Sequence, residues 1–263
     1  MKIIHLGTGD AFNEKLPNNS HLVISNSVSG TKLLLDCGYS ALAQLFKYNP
    51  DPSFVDAVFI SHLHADHYFG IPAFLRRIIA DSRTKKLSII CRRENKDQII
   101  ELVKLGYSET MNKLTFPLEF IEVSQGDEIT LGEFTLRFAE TKHNIPNLAI
   151  RIEKNSASKN KEDRRRKKIF CYSGDGNFTE SSEELYKNAD MLIHEVFTMD
   201  KDTAGHGKLT TILEMCSRAK VKKLGITHIN RKNYEKTIHE MIRSCDEAKV
   251  NFFIPEPLDE SEI

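Results

Sequence analysis

The stretch Ser61-His62-Leu63-His64-Ala65-Asp66-His67 constrains this chain more than any other, because three imidazoles and one carboxylate fall within seven positions. The apolar run Ala57-Val58-Phe59-Ile60 leads into it and reads as a buried strand. Gly70-Ile71-Pro72-Ala73-Phe74-Leu75 follows, and Pro72 suits the first turn of a helix. The cluster is therefore expected on a strand-to-helix loop, held by a rigid element on each side. Neutral imidazole is the commonest borderline metal ligand, and His combined with Asp suits Zn²⁺. The alternative is a polar loop that is merely rich in His. It would leave four metal-capable side chains in six positions to chance.

The rest of the sequence sets the class of molecule around that cluster. With 263 residues the chain can bury a sizeable core, and 40% hydrophobic with 28% charged residues is ordinary for a soluble globular protein. No apolar run approaches the roughly 18 residues needed to span a bilayer, so no membrane association is expected. Met1–Leu6 is too short an apolar stretch for a signal peptide and reads as a first strand, which gives a cytoplasmic expectation. The five cysteines (Cys37, Cys91, Cys171, Cys216, Cys245) are odd in number, scattered and without a CxxC pair. That argues against a disulfide framework and a Cys-type zinc site, and for buried free thiols. Lys+Arg and Asp+Glu are 37 each, so any nucleic acid would have to bind through a local patch. Gly7-Thr8-Gly9 is half of a dinucleotide fingerprint, but Phe12 stands where its third glycine would be, so NAD binding is discounted. No GxSxG is present.

Taken in order, Lys2–Leu6 is a strand and Asn13–Ser20 a polar loop, a candidate lid, with Pro17 and Asn18-Asn19. His21–Ser25 and Thr31–Asp36 form a hairpin around Ser29-Gly30. Helical spacing appears over Ser40–Tyr48, Ile71–Ala80, Asn95–Leu105, Lys208–Ala219 and Tyr234–Lys249. Strands are expected at Leu87–Cys91, Ala149–Glu153, Lys168–Tyr172, Met191–Glu195, Lys223–Thr227 and Val250–Ile254, and Phe116–Val123 and Glu128–Ala139 are strand-rich, broken by Gln125-Gly126-Asp127 and Leu131-Gly132-Glu133, with Pro255-Glu256-Pro257 and an acidic tail ending the fold. No composition shift marks a linker, so residues 1–263 read as one domain of sheets between helices.

A metal needs more ligands than one loop can aim at a point. His143, Asp175 (in Ser173-Gly174-Asp175-Gly176) and His228 each lie just past an expected strand. Taken singly they could be a surface histidine, a turn aspartate and a capping neighbour. Their shared position at strand ends, after an HxHxDH loop, raises all three. His194-Glu195 ends another strand, and His206 lies between two glycines. A His set beside a carboxylate is what a general acid requires, because its charge can be tuned near neutrality. The alternative for His206 is an incidental loop histidine.

His62-x-His64-x-Asp66-His67 with His143, Asp175 and His228 resembles the metallo-β-lactamase superfamily over nearly the whole chain. The resemblance implies an α/β fold, an αββα sandwich of two mixed sheets between helices, with two divalent metal ions, usually zinc, with Mn²⁺ or Fe as alternatives. It implies that His62, His64 and His143 hold one ion, Asp66, His67 and His228 the other, and that Asp175 bridges them. The finer likeness is to ribonuclease Z, through Leu6-Gly7-Thr8-Gly9-Asp10-Ala11, Ser173-Gly174-Asp175, and His194-Glu195 followed by His206. In that family the Glu and the later His assist the leaving oxygen, and homodimers are common, so a dimer is implied by the resemblance alone. Two departures stand out. The usual enzyme inserts a long tRNA-gripping arm between the positions of His143 and Asp175, whereas here they are 32 apart (175 − 143). His206 is also followed by Gly207-Lys208 where that family has Ser-Thr.

The leading expectation is therefore a di-zinc phosphodiesterase acting on small or nucleotide diesters by metal-activated hydroxide. Asp66 would orient the nucleophile or take its proton, and His206, fixed by Glu195, would protonate the leaving alkoxide. A tRNA 3′-end endonuclease gripping RNA with the basic run Arg164-Arg165-Arg166-Lys167-Lys168 is the alternative, and a thioester or lactone hydrolase is a third.

Overall fold

The computed structural model describes residues 1–27, 30–155, 167–232 and 234–263. The chain divides into two compact units, one of residues 2–124 with 256–260, the other of residues 125–255 with Met1 and 261–263.

The first unit is built on strands β1 (Lys2–Gly7), β2 (Ser20–Ile24), β3 (Lys32–Leu35), β4 (Ala57–Phe59), β5 (Leu87–Arg92) and β6 (Leu118–Val123), in that spatial order. The expected hairpin is β2 and β3, which pair antiparallel with His21 opposite Leu35; Ser29, expected in its turn, lies outside the described residues. From β3 to β6 the pairing is parallel. Parallel neighbours need a crossover, usually helical. Helices α1 (Ala41–Tyr48), α3 (Ile71–Ala80) and α4 (Lys96–Gly106) supply it between successive strands. On α3 the buried residues Ile71, Phe74, Leu75, Ile78 and Ile79 recur at helical spacing, while Arg76 and Arg77 face solvent. The second half of the His cluster, expected on a loop, departs from expectation, since Ala65–Tyr68 is a single helical turn, α2, with Asp66 and His67 on it. Near the C-terminus, Leu258 N–H donates to the His5 carbonyl (2.6 Å), and a last strand, Glu260–Glu262, adds at the β1 edge, so the acidic tail is part of the sheet.

The second unit carries β7 (Glu128–Leu131), β8 (Phe134–Thr141), β9 (Asn147–Asn155), β10 (Lys167–Tyr172), β11 (Met191–Glu195), β12 (Leu224–Thr227) and β13 (Phe252–Phe253), again in sequence order. It is antiparallel from β7 to β10 and parallel from β10 to β13. Helices α6 (Leu209–Ala219) and α7 (Tyr234–Glu247) agree with the sequence reading. Helix α5 (Glu180–Tyr186) was not foreseen. It starts at a capping box in which the Thr179 hydroxyl accepts from the Ser182 N–H and the Ser182 hydroxyl accepts from the Thr179 N–H. Arg164, Arg165 and Arg166 lie outside the described residues; Lys167, within them, reaches Glu153 (2.6 Å). No helix among the described residues is long and apolar enough to cross a membrane.

Candidate metal centre

Each sheet delivers its chemistry at the carboxyl ends of its strands, where α/β folds place ligand sites. In the first unit β3 runs into Asp36 and β4 into Ser61 and His62. Asp36 is fully buried and adopts a left-handed backbone conformation (φ 58°) that non-glycine residues rarely hold. Its side chain holds Ser61 and His67 and, through Ser61, His62. Asp36 Oδ1 accepts from the Ser61 backbone N–H (2.7 Å), and Oδ2 accepts from both the Ser61 hydroxyl (2.7 Å) and His67 Nδ1 (2.7 Å).

Those bonds fix the tautomers. The proton on His67 is held at Nδ1 by Asp36, which turns the lone pair of Nε2 toward Asp66 Oδ2, 3.2 Å away. The Ser61 proton goes to Asp36, so Ser61 Oγ accepts from His62 Nδ1–H (3.0 Å) and leaves His62 Nε2 as a donor atom, 3.1 Å from His64 Nδ1. Outer partners that hold the second ring nitrogen are how metal-ligating histidines are aimed. The loop after Asp36 is pressed onto the same turn. A carbon added at Gly38 would sit 1.9 Å from the Asp66 carbonyl oxygen, so only glycine lets the two backbones meet.

The second unit gathers His143, Asp175, Glu195, His206 and His228 from the ends of four strands and one loop. The backbone carbonyl of Asp175 accepts from the Thr141 hydroxyl (2.6 Å) and the Asn147 amide (2.9 Å), which clamps its strand end. Asp175 Oδ2 faces His228 Nε2 at 3.3 Å, and His228 is another left-handed non-glycine residue (φ 55°). His143 Nδ1–H donates to the Gly205 carbonyl, leaving Nε2 as its donor atom. Gly205 (φ 75°) has no room for a side chain, since a carbon there would lie 2.8 Å from the Asn144 nitrogen. The next residue, His206, is held through Nδ1 by Glu195 Oε1, and Glu195 Oε2 accepts from the Gly176 N–H. Donor atoms of Asp175, Glu195, His206 and His228 lie within 4.8 Å of one another. The Phe197 ring stacks on the His206 imidazole at 4.3 Å and 20°.

Electrostatics separate the two adjacent residues of the His194-Glu195 pair. Burial pushes His194 down to about 4, so it stays neutral, packed edge-on to Tyr186 with its Nδ1–H on the Glu195 carbonyl. Burial also works against a charge on His206, but the Glu195 hydrogen bond and the Glu195 and Asp175 charges outweigh it, and the net shift is upward.

The residues present fit a metal. The lone pair of His67 Nε2 faces Asp66 Oδ2 at 3.2 Å, His228 Nε2 lies 3.3 Å from Asp175 Oδ2, and outer hydrogen bonds fix the imidazole protons of His62, His67 and His143 on the far nitrogens. All seven expected ligands fall in groups of His and Asp that could hold a metal ion. Asp36, Ser61, Asn147 and Phe197 were missed by sequence reading. Only Asp36 carried a signal, as an acid ending the strand next to the one that leads into the His cluster. The Asn13–Ser20 loop is tied down, with Asn13 Oδ1 accepting two backbone N–H groups and Asn18 bonded to Ser40.

The chain is similar to known proteins over most or all of its length. A family profile described as "Anti-Pycsar protein Apyc1" matches residues 1–246. Ribonuclease Z of Methanocaldococcus jannaschii is 30% identical over 284 residues, covering 90% of this chain and 87% of that protein. The metallo-β-lactamase fold protein YhfI from Bacillus subtilis aligns with a TM-score of 0.81 at 23% identity, covering 100% of this chain and 99% of its own. The short form of human tRNase Z aligns at 0.76 and 20% identity, covering 100% and 99%. The fold class expected from the sequence is the one these structures share.

Proposed function

The chain belongs to the family described as Anti-Pycsar protein Apyc1 and is a ribonuclease Z-like, metal-dependent hydrolase of the metallo-β-lactamase superfamily, and from that premise we propose that it uses two divalent metal ions to hydrolyse small nucleotide phosphodiesters. His62, His64 and His143 would hold one ion, Asp66, His67 and His228 the other, with Asp175 shared. When bound, such ions supply positive charge to a phosphodiester and acidify a water near neutral pH. The two units would act as one hydrolase domain, and a cytoplasmic location and a homodimer belong to the same proposal.

The protein's own residues supply the remaining steps. Glu195 fixes the Nδ1 proton of His206 and raises its affinity for a second proton, which leaves Nε2–H to donate to the departing alkoxide. Phe197 covers one face of that imidazole and limits its rotation and hydration. Asp66, a carboxylate on the rigid α2 turn, is placed to orient the nucleophile or accept its proton.

The observation that carries the preference for small diesters is the short connection between His143 and Asp175. Strands β9 and β10 pair from Ile150 with Tyr172 out to Asn155 with Lys167, and the eleven residues 156–166 between them are too few for a globular arm. A tRNA 3′-end endonuclease is the second reading, favoured by the ribonuclease Z relatives. Metal-loaded protein assayed on a chromogenic phosphodiester, on cyclic nucleotides and on a 3′-extended pre-tRNA separates the two. Turnover of the small diesters without tRNA cleavage is expected; clean cleavage after the tRNA discriminator base would replace the first reading with the second. Silence on all three would move the assignment to ester hydrolysis.

A further inference from the structure

Large hydrophobic side chains are exposed at six positions among the described residues, and three of them are aromatic rings at one end of the first sheet. These are Phe12 (72% exposed), Tyr39 (51%) and Phe69 (45%). Strands β1 and β3 both pair antiparallel with β2, and β4 pairs parallel with β3, so β1, β3 and β4 deliver their carboxyl ends to the same side. Phe12 and Tyr39 stand on the loops after β1 and β3, and Phe69 closes the α2 turn that follows β4. A lone exposed apolar residue needs no explanation, but three aromatic rings gathered on loops at one end of a sheet are what a binding surface offers.

The three loops are stitched to one another and to the turn that carries Asp66 and His67. The Tyr39 hydroxyl donates to the Ala11 carbonyl, beside Phe12. Just before Tyr39, the Cys37 N–H donates to the His67 carbonyl (2.7 Å) and the Cys37 carbonyl accepts from the Gly70 N–H (2.8 Å). Phe69 continues the α2 turn, with its N–H on the Ala65 carbonyl (3.0 Å) and helical dihedrals. It therefore follows Asp66 by three helical residues, a spacing at which side chains are neighbours with Cβ atoms about 5–6 Å apart. Tyr68 packs edge-on to the Phe69 ring at 5.0 Å and 71°, which limits its rotation. Rings held in this way lose little freedom when a ligand covers them.

A phosphodiester held beside Asp66 would carry its sugar and base outward, past the residue that neighbours Asp66 on the turn. We propose that Phe69, with Tyr39 and Phe12, is a nucleobase platform for the substrate, a subsite that rests on the nucleotide-diester reading above. Every base has a π-face, so aromatic stacking holds bases with little regard to their identity. The Tyr39 hydroxyl is engaged by the Ala11 carbonyl, and Phe has no polar atom, so the platform offers ring faces rather than a hydrogen-bond code. It selects nucleotides over base-free phosphates, and larger bases over smaller ones.

Calorimetric titration of the metal-loaded, full-length protein with adenosine 5′-monophosphate and with ribose 5-phosphate isolates the base, because both ligands carry the same phosphate. The wild type is expected to bind the nucleotide at least about fivefold more tightly. Phe69→Ala is expected to lose most of that preference while its affinity for ribose 5-phosphate stays as in the wild type. Phe69→Leu, which keeps apolar bulk without a ring, is expected to behave like Phe69→Ala, and Phe69→Tyr like the wild type. Equal binding of the two ligands by the wild type, a preference untouched in Phe12→Ala/Tyr39→Ala/Phe69→Ala, or an equal loss of both ligands in Phe69→Ala overturns the platform. So does a wild-type dimer that Phe69→Ala splits into monomers in light scattering, which would assign the rings to a second copy of the chain. A wild type that shows the base preference but turns over no diester would sink the hydrolase reading and leave the platform standing.

Discussion

Asp36 shows how one side chain sets the chemistry of several others. Three bonds to its carboxylate fix the Ser61 backbone, the Ser61 hydroxyl and the His67 proton, and through Ser61 the His62 proton as well. Replacing it with Asn keeps the shape but substitutes an N–H₂ for one acceptor, so one of those donors is left facing another donor. Asp36→Asn is expected to lose about 10–100-fold in metal affinity, the usual cost of disturbing an outer partner, while its secondary structure stays intact. Competition with a chelator of known affinity measures this; unchanged affinity would remove Asp36 from the account. The residues that could be read from sequence were those whose type is itself the signal, His62, His64, Asp66, His67, His143, Asp175 and His228. Ser61, Asn147 and Phe197 act through a hydrogen bond or a ring face, and nothing in their identity or spacing announces which neighbour the fold will bring to them.

At the level of elements, periodicity was informative wherever one face of a segment is buried. The α3 stripe gave bounds of Ile71–Ala80, as found, because five core residues recur at helical spacing. Phe74 is 2% exposed in that stripe and packs near Phe46 at 6.2 Å. Phe74→Ala is expected to cost about 3–5 kcal/mol of stability, read from the urea midpoint, and to loosen the α2 turn that precedes the helix. A loss under about 1 kcal/mol would mean the site refills and α3 does not anchor the His cluster. The elements that escaped sequence reading were too short for a period to show. Helix α2 spans four residues and α5 seven, and α5 owes its start to the Thr179–Ser182 capping box. The strand Glu260–Glu262 is mostly charged and pairs only because the preceding residues bring it alongside β1.

Across the whole molecule, several histidines are fully buried, and burial of an imidazole has a pH signature. The imidazole of His194 is buried and pushed down to about 4, against about 6.5 when the chain unfolds. The unfolded chain therefore takes a proton below about pH 6.5 that the folded chain refuses until about pH 4. Stability from this residue is complete above that window and falls as the pH drops through it, by about 3 kcal/mol. His21 is lowered in the same direction by burial and then by His5, so it adds to the slope. Stability measured between pH 7 and pH 4 is expected to fall less steeply in His194→Gln than in the wild type; parallel slopes would show that His194 is not the group being titrated.

The most direct test of the metal-hydrolase account compares Asp175→Ala with His206→Ala for bound metal and for turnover of an unactivated and an activated phosphodiester. Asp175→Ala is expected to lose metal and activity together. His206→Ala is expected to retain wild-type metal content and to lose turnover by about 10²–10⁴-fold on the unactivated diester, with a much smaller loss where the leaving group needs no proton. Full turnover of the unactivated diester by His206→Ala, or undiminished metal and activity in Asp175→Ala, would contradict it.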